Sequence, residues 1–123
     1  MGDVAVRLSR SAYEYAQNLV KAGRAVLDER DDWSEHQPSA EEENAFIEEH
    51  GWGEYARWHL GVDDEKREDT KARYEFPYGD FQDVHRCAVL SAESRAAQND
   101  HTDIASAAAH LHGMLEEARV AHG

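Results

Sequence analysis

Apolar residues recur at helical spacing over several stretches of this chain. Advancing about 100° per residue from Ala12 gathers Ala12, Tyr15, Ala16, Leu19, Val20, Val26 and Leu27 on one side, with Glu14, Lys21 and Arg24 opposite. Ser11-Ala-Tyr-Glu14 offers a capping box for that helix, the serine oxygen taking an early N–H and the glutamate reaching back. Ser39-Ala-Glu-Glu42 is a second capping box directly after Pro38, and a helix from there should run to His50 and stop at Gly51. A third, short helix is expected over Glu54 to Leu60, with Tyr55 and Trp58 on one face. From Asp80 the period returns: Phe81, Val84, His85, Ala88, Val89, Ala92 and Ala96 share a side while Cys87 and Leu90 lie opposite, so this helix should be touched from two directions. After a break at Asn99-Asp100, Ile104, Ala107, Ala108, Leu111, Met114, Leu115 and Ala118 form one stripe.

Two segments interrupt the helical pattern. In Tyr74-Glu-Phe-Pro-Tyr-Gly-Asp-Phe81, Pro77 fixes its own φ, Gly79 suits a tight turn, and Asp80 suits the cap of the following helix. Tyr74-Glu75-Phe76 alternates as a strand does, but no second strand pattern is present to pair with it, so residues 74–79 predict an extended arm laid across the helices. Residues 61–73 mix acids and bases around Val62 and read as a flexible charged loop. The expected fold is all-α: a single helical domain spanning 1–123, with four to five helices, a C-terminal antiparallel helix pair and one short extended arm.

Charge sharpens the functional picture. Acids outnumber Lys and Arg by 26 to 13, and eleven of those acids fall between Asp28 and Glu54 with Arg30 the only base among them. That balance argues against a grip on phosphate backbones, and leaves a nucleic-acid mimic as the only nucleic-acid-related reading. Glu41, Glu42, Glu43, Glu48 and Glu49 form an expected acidic docking face for a basic protein partner, and the alanines at 88, 92, 96, 107 and 108 would suit a homodimer seam. No apolar run approaches the roughly 18 residues of a membrane span, and Met1-Gly-Asp-Val4 lacks signal-peptide character. Cys87 stands alone, so no internal disulfide can form and a cytoplasmic setting is expected.

Candidate chemistry is sparse. The histidines are His36, His50, His59, His85, His101, His110, His112 and His122; His110 and His112 point about 200° apart on a helix, and none of the eight forms a His-x-x-x-His pair. No metal site and no cofactor are therefore expected, the alternative being a composite site of His36, His50 or His59 with neighbouring carboxylates. The same wheel parts His85 from Cys87 by about 200°, which makes Cys87 a packed side chain rather than half of a thiolate–imidazole pair. His85, set among Phe81, Val84, Ala88 and Val89, needs a hydrogen-bond partner that Asp80 or a carbonyl of the arm could supply. Arg86 and Arg95 should tie the acidic middle to the helical core. A ligand or partner surface would draw on Trp52, Trp58, His59, Tyr74, Phe76, Tyr78, Asp80, His85 and Arg86.

The run Trp58-His-Leu-Gly-Val-Asp63, the segment Tyr74 to Phe81 with Val84-His-Arg86, and Arg95-Ala-Ala-Gln98 together resemble a family of small bacterial proteins to which no activity is attached. The resemblance covers most of the chain from Trp33 onward; it implies a free-standing bacterial cytoplasmic protein and assigns no residue a role. The function expected from sequence is a non-enzymatic protein-interaction or assembly module. The alternative is a small-molecule or metal-binding protein, or a small enzyme, with a pocket near Trp58, Tyr74 to Phe81 and His85.

Overall fold

The structure is a computed structural model whose described residues are 6–122, with side chains described through Val120. Residues 1–5, on which the leaderless reading rests, and the side chain of His122 lie outside the described residues. In chain order the elements are β1 (Val6–Leu8), α1 (Arg10–Lys21), β2 (Ala25–Val26), α2 (Trp33–His36), α3 (Ala40–Ala56), β3 (His59–Asp63), β4 (Tyr74–Pro77), β5 (Val84–His85), α4 (Arg86–Gln98) and α5 (Thr102–His122).

The all-α expectation is corrected to a mixed α/β fold. Five helices accompany a three-stranded sheet of order β1-β3-β4 and a separate pair, β2-β5, among the described residues. β3 is the central strand, and all five of its residues are buried. A strand covered on both faces shows no polar alternation, and His59 and Asp63 at its ends make it look like a helix tail running into a charged loop. Tyr74 to Pro77 is accordingly no free arm: it pairs antiparallel with β3, His59 opposite Pro77 and Val62 opposite Tyr74. β1 closes the other edge, with Val6 opposite Asp63.

The helices start and stop for local reasons. Ser9, not Ser11, caps α1, its Oγ accepting from Ala12 N–H at 3.3 Å while its own N–H is claimed by Leu60 O of β3 at 2.8 Å. α1 ends at Lys21, so Val26 enters β2 instead of continuing the apolar stripe. The Ser39 capping box forms in full, and Gly51, at φ 87°, breaks α3 before its last short turn. α4 begins only at Arg86, because Val84 and His85 are held extended by parallel pairing with Ala25 and Val26.

The core lies between the sheet and the α4–α5 pair. Ile104, Leu111 and Leu115 of α5 are fully buried, as are Leu60 and Val89, each such side chain contributing about 2 kcal/mol. Ala88, Ala92, Ala96 and Ala108 let the two helices approach closely. Cys87 and Leu90 are buried on the other side of α4, which is covered from two directions as its sequence pattern implies. No described helix is long and apolar enough to cross a membrane.

Candidate functional site

The β2-β5 pair builds the site. Parallel register sets Val26 beside His85, and two residues further along each chain Asp28 meets Cys87: the Cys87 N–H donates to Asp28 Oδ1 at 2.8 Å and its thiol to Asp28 Oδ2 at 3.0 Å. The chain then turns through Arg30–Asp32 into the single turn of α2, which returns His36 to the same carboxylate, Nδ1 lying 2.7 Å from Oδ2. His85 Nδ1 also lies 2.7 Å from Oδ2. One oxygen of Asp28 is thus approached by two imidazole nitrogens and a sulfur, and the four potential ligand atoms all lie within 4.8 Å of one another.

Asp80 completes the arrangement from the far side of His85. Rather than capping α4, its Oδ1 accepts from Gln82 N–H at 3.0 Å and Asp83 N–H at 2.8 Å, which aims Oδ2 at His85 Nε2, 2.9 Å away. Phe76 and Phe81, at φ 61° and 73°, bracket this loop in the left-handed region that bulky side chains avoid. Gly79 is needed beside Asp80, since a Cβ there would run into Asp83 O and within 2.7 Å of the Trp58 ring.

Burial alone would raise the Asp28 carboxyl, but hydrogen bonds from the Cys87 thiol and amide and from His85 and His36 outweigh it and hold the pKa at about 2. Burial would lower His85, and Asp80 and Asp28 reverse this, leaving it raised. The Cys87 thiol is pushed up by burial and by the neighbouring Asp28 charge, the opposite of what a nucleophilic thiolate requires.

The donor set fits a metal ion. Two imidazoles, a carboxylate and a thiol suit zinc and its first-row neighbours and suit magnesium and calcium poorly. Tetrahedral bonds of about 2.0–2.3 Å place ligands roughly 3.4 Å apart. That spacing lies between the 2.7 Å and 4.8 Å found here, so small side-chain shifts would admit an ion. Without an ion, His85 satisfies both carboxylates only as an imidazolium. Replacing one His85 proton and the Cys87 proton by a divalent cation leaves the local charge unchanged.

The other sequence candidates are placed as follows among the described residues. Trp58 stacks on Tyr78 at 5.4 Å between ring centroids, and the Tyr78 hydroxyl donates to Arg57 O at 2.6 Å. Phe76 is buried beneath the Arg95 guanidinium, 5.4 Å from its ring, so Arg95 braces the core and Arg86 alone does the expected tying. Trp52 stacks on Tyr74 at 6.1 Å. His59 is buried with Nδ1 2.9 Å from Tyr55 O, and burial pushes its pKa down to about 4. The cavity between Trp33, Glu43, His59, Gly79 and Phe81 measures about 20 Å³, room for one water rather than a metabolite. Arg86 ties Asp28 O (3.0 Å) to Glu116 (2.6 Å). Glu41, Glu42, Glu48 and Glu49 are exposed on α3, while Glu43 is drawn inward to Lys71 at 3.1 Å.

Asp80, His85 and Arg86 thus belong to the site, and sequence reasoning missed Asp28 and Cys87 as members and the place of His36 among them. The wheel argument against His85 with Cys87 fails because His85 is extended, at φ −106° and ψ 126°, and only Arg86 starts the helix. His85 ends a strand and Cys87 lies in the first turn of α4, and the two are brought together by sharing Asp28 rather than by a common periodicity. In comparisons with known proteins the chain matches no family model, no curated protein and no solved structure.

Proposed function

We propose that this protein binds a divalent transition-metal ion, zinc in class, at Asp28, His36, His85 and Cys87. The observation that carries this reading is the convergence of His36 Nδ1, His85 Nδ1 and Cys87 Sγ on one Asp28 oxygen at 2.7, 2.7 and 3.0 Å. Asp80 then plays the part of the outer carboxylate that fixes the orientation of a ligating imidazole. With all four protein ligands in place the site is closed, and it holds Asp28 and the segment after it against the start of α4. The assembly-module reading has weaker support: the α3 glutamates are exposed, and no feature opposite them specifies a partner.

Cobalt(II) titration of the metal-free protein tests the proposal. One equivalent should produce tetrahedral d–d bands and a thiolate-to-cobalt charge-transfer band, the latter lost in Cys87→Ser. Zinc at 100-fold above its Kd should stabilise the fold by about 2.7 kcal/mol. Absence of stoichiometric binding, or binding indifferent to Cys87→Ser, would overturn it.

A further inference from the structure

We infer that His36 is the exchangeable ligand of this centre. Asp28, His85 and Cys87 form a fixed floor, and the fourth position is the mouth through which the ion enters and leaves and at which an outside imidazole donor can replace His36. The inference rests on the metal-binding reading above and divides its ligands by how each is held.

Asp28 is locked at three atoms: Oδ1 by the Cys87 N–H, Oδ2 within the cluster, and its carbonyl by Arg86, itself anchored on Glu116. The His85 N–H donates to Tyr78 O at 3.0 Å, and its ring is fixed beyond the cluster by Asp80. Cys87 lies in the first turn of α4 with no exposed surface. The side chains of Asp28 and His85 are 5% and 7% exposed. His36 stands apart at 38%.

His36 also ends a helix of one turn, followed by an extended Gln37 and by Pro38. A single turn has little stability of its own, so this ligand sits on the part of the site that opens most readily. Removing His36 leaves three ligands and one open position, the arrangement of sites that accept an outside donor. Glu29, Asp31 and Glu35 are exposed on the segment that carries His36, with Arg30 the one base among them. Their charge draws cations in and disfavours anionic donors, which makes a neutral imidazole the matching class.

The test uses cobalt(II) as the ion and free imidazole as the donor. His36→Ala should still bind cobalt and keep the thiolate charge-transfer band, with d–d absorption weakened as solvent enters the fourth position. Added imidazole should restore the wild-type intensity, and His36→Asn should behave likewise while keeping a polar side chain there. His85→Ala should lose the cobalt spectrum without rescue. Failure of both His36 variants to bind cobalt, while the wild type binds it, would overturn the inference and leave the metal reading standing. Equal imidazole rescue of His36→Ala and His85→Ala would do the same. A wild-type protein that binds no cobalt would sink both.

Discussion

Burial fixes the charge state of a histidine through what else is buried beside it, and this chain contains both outcomes. His85 sits between two carboxylates and is held toward its charged form, whereas His59, buried against the rings of Tyr55 and Tyr74 with Nδ1 on a backbone carbonyl, is held toward its neutral form. The two act oppositely on stability. A depressed histidine pKa means that the unfolded chain takes up a proton near pH 6.5 while the native state waits until about 4. The stability tied to neutral His59 is therefore complete above pH 6.5 and lost as pH falls toward 4, by about 3 kcal/mol over that window. His85, raised, contributes in the other sense: its share is complete below pH 6.5 and is lost as pH rises through its raised value. Urea midpoints measured in metal-free buffer from pH 7 to pH 4.5 should fall less steeply in His59→Gln than in the wild type. Identical slopes would show that His59 is not the buried neutral group described. The pairing of His85 with Asp80 was legible in sequence, whereas Asp28 as its second partner and the burial of His59 against Tyr55 O, in place of a composite-site or surface role, were not.

Among the elements, the 76–81 loop joins packing to chemistry. Its aromatics anchor it, with Phe81 stacked on Phe46 at 4.3 Å and Tyr78 on Trp58, and its one carboxylate orients His85. Gly79→Ala forces a methyl group against Trp58 and the Asp83 carbonyl. The expected loss is about 2–3 kcal/mol, read as a lowered urea midpoint, with cobalt affinity weakened as Asp80 shifts. A variant as stable as wild type would show that the loop has room it does not show here. The turn itself was readable from Pro77, Gly79 and Asp80. Its docking against β3 was not, because strand pairing is set by residues twelve or more positions away, here Val62 opposite Tyr74 and His59 opposite Pro77 by register alone. The two-residue β2-β5 pair lies further below any periodicity signal, yet it aligns Asp28 with Cys87.

For the whole molecule, the centre joins two parts of unequal robustness. The α4–α5 pair and the sheet carry the buried apolar side chains, while the 28–38 segment reaches the body largely through Asp28, His36 and Trp33, the last 5.8 Å from the His85 ring. Zinc should therefore slow amide hydrogen exchange over residues 28–38 and 78–87 and leave the middle of α5 unchanged; uniform slowing, or none, would contradict that division. The chain's own pattern determined the helices of the C-terminal half, the Ser39 cap, the break at Gly51 and the two-sided burial of α4, because those features depend on residues within a turn or two of one another. Only tertiary structure decided that His59 to Asp63 is a central strand, that α4 starts at Arg86, and that Asp28, His36, His85 and Cys87 meet at one point. Partners 57 and 59 positions apart are brought together by strand register, and register is a property of the folded sheet rather than of any local run of residues.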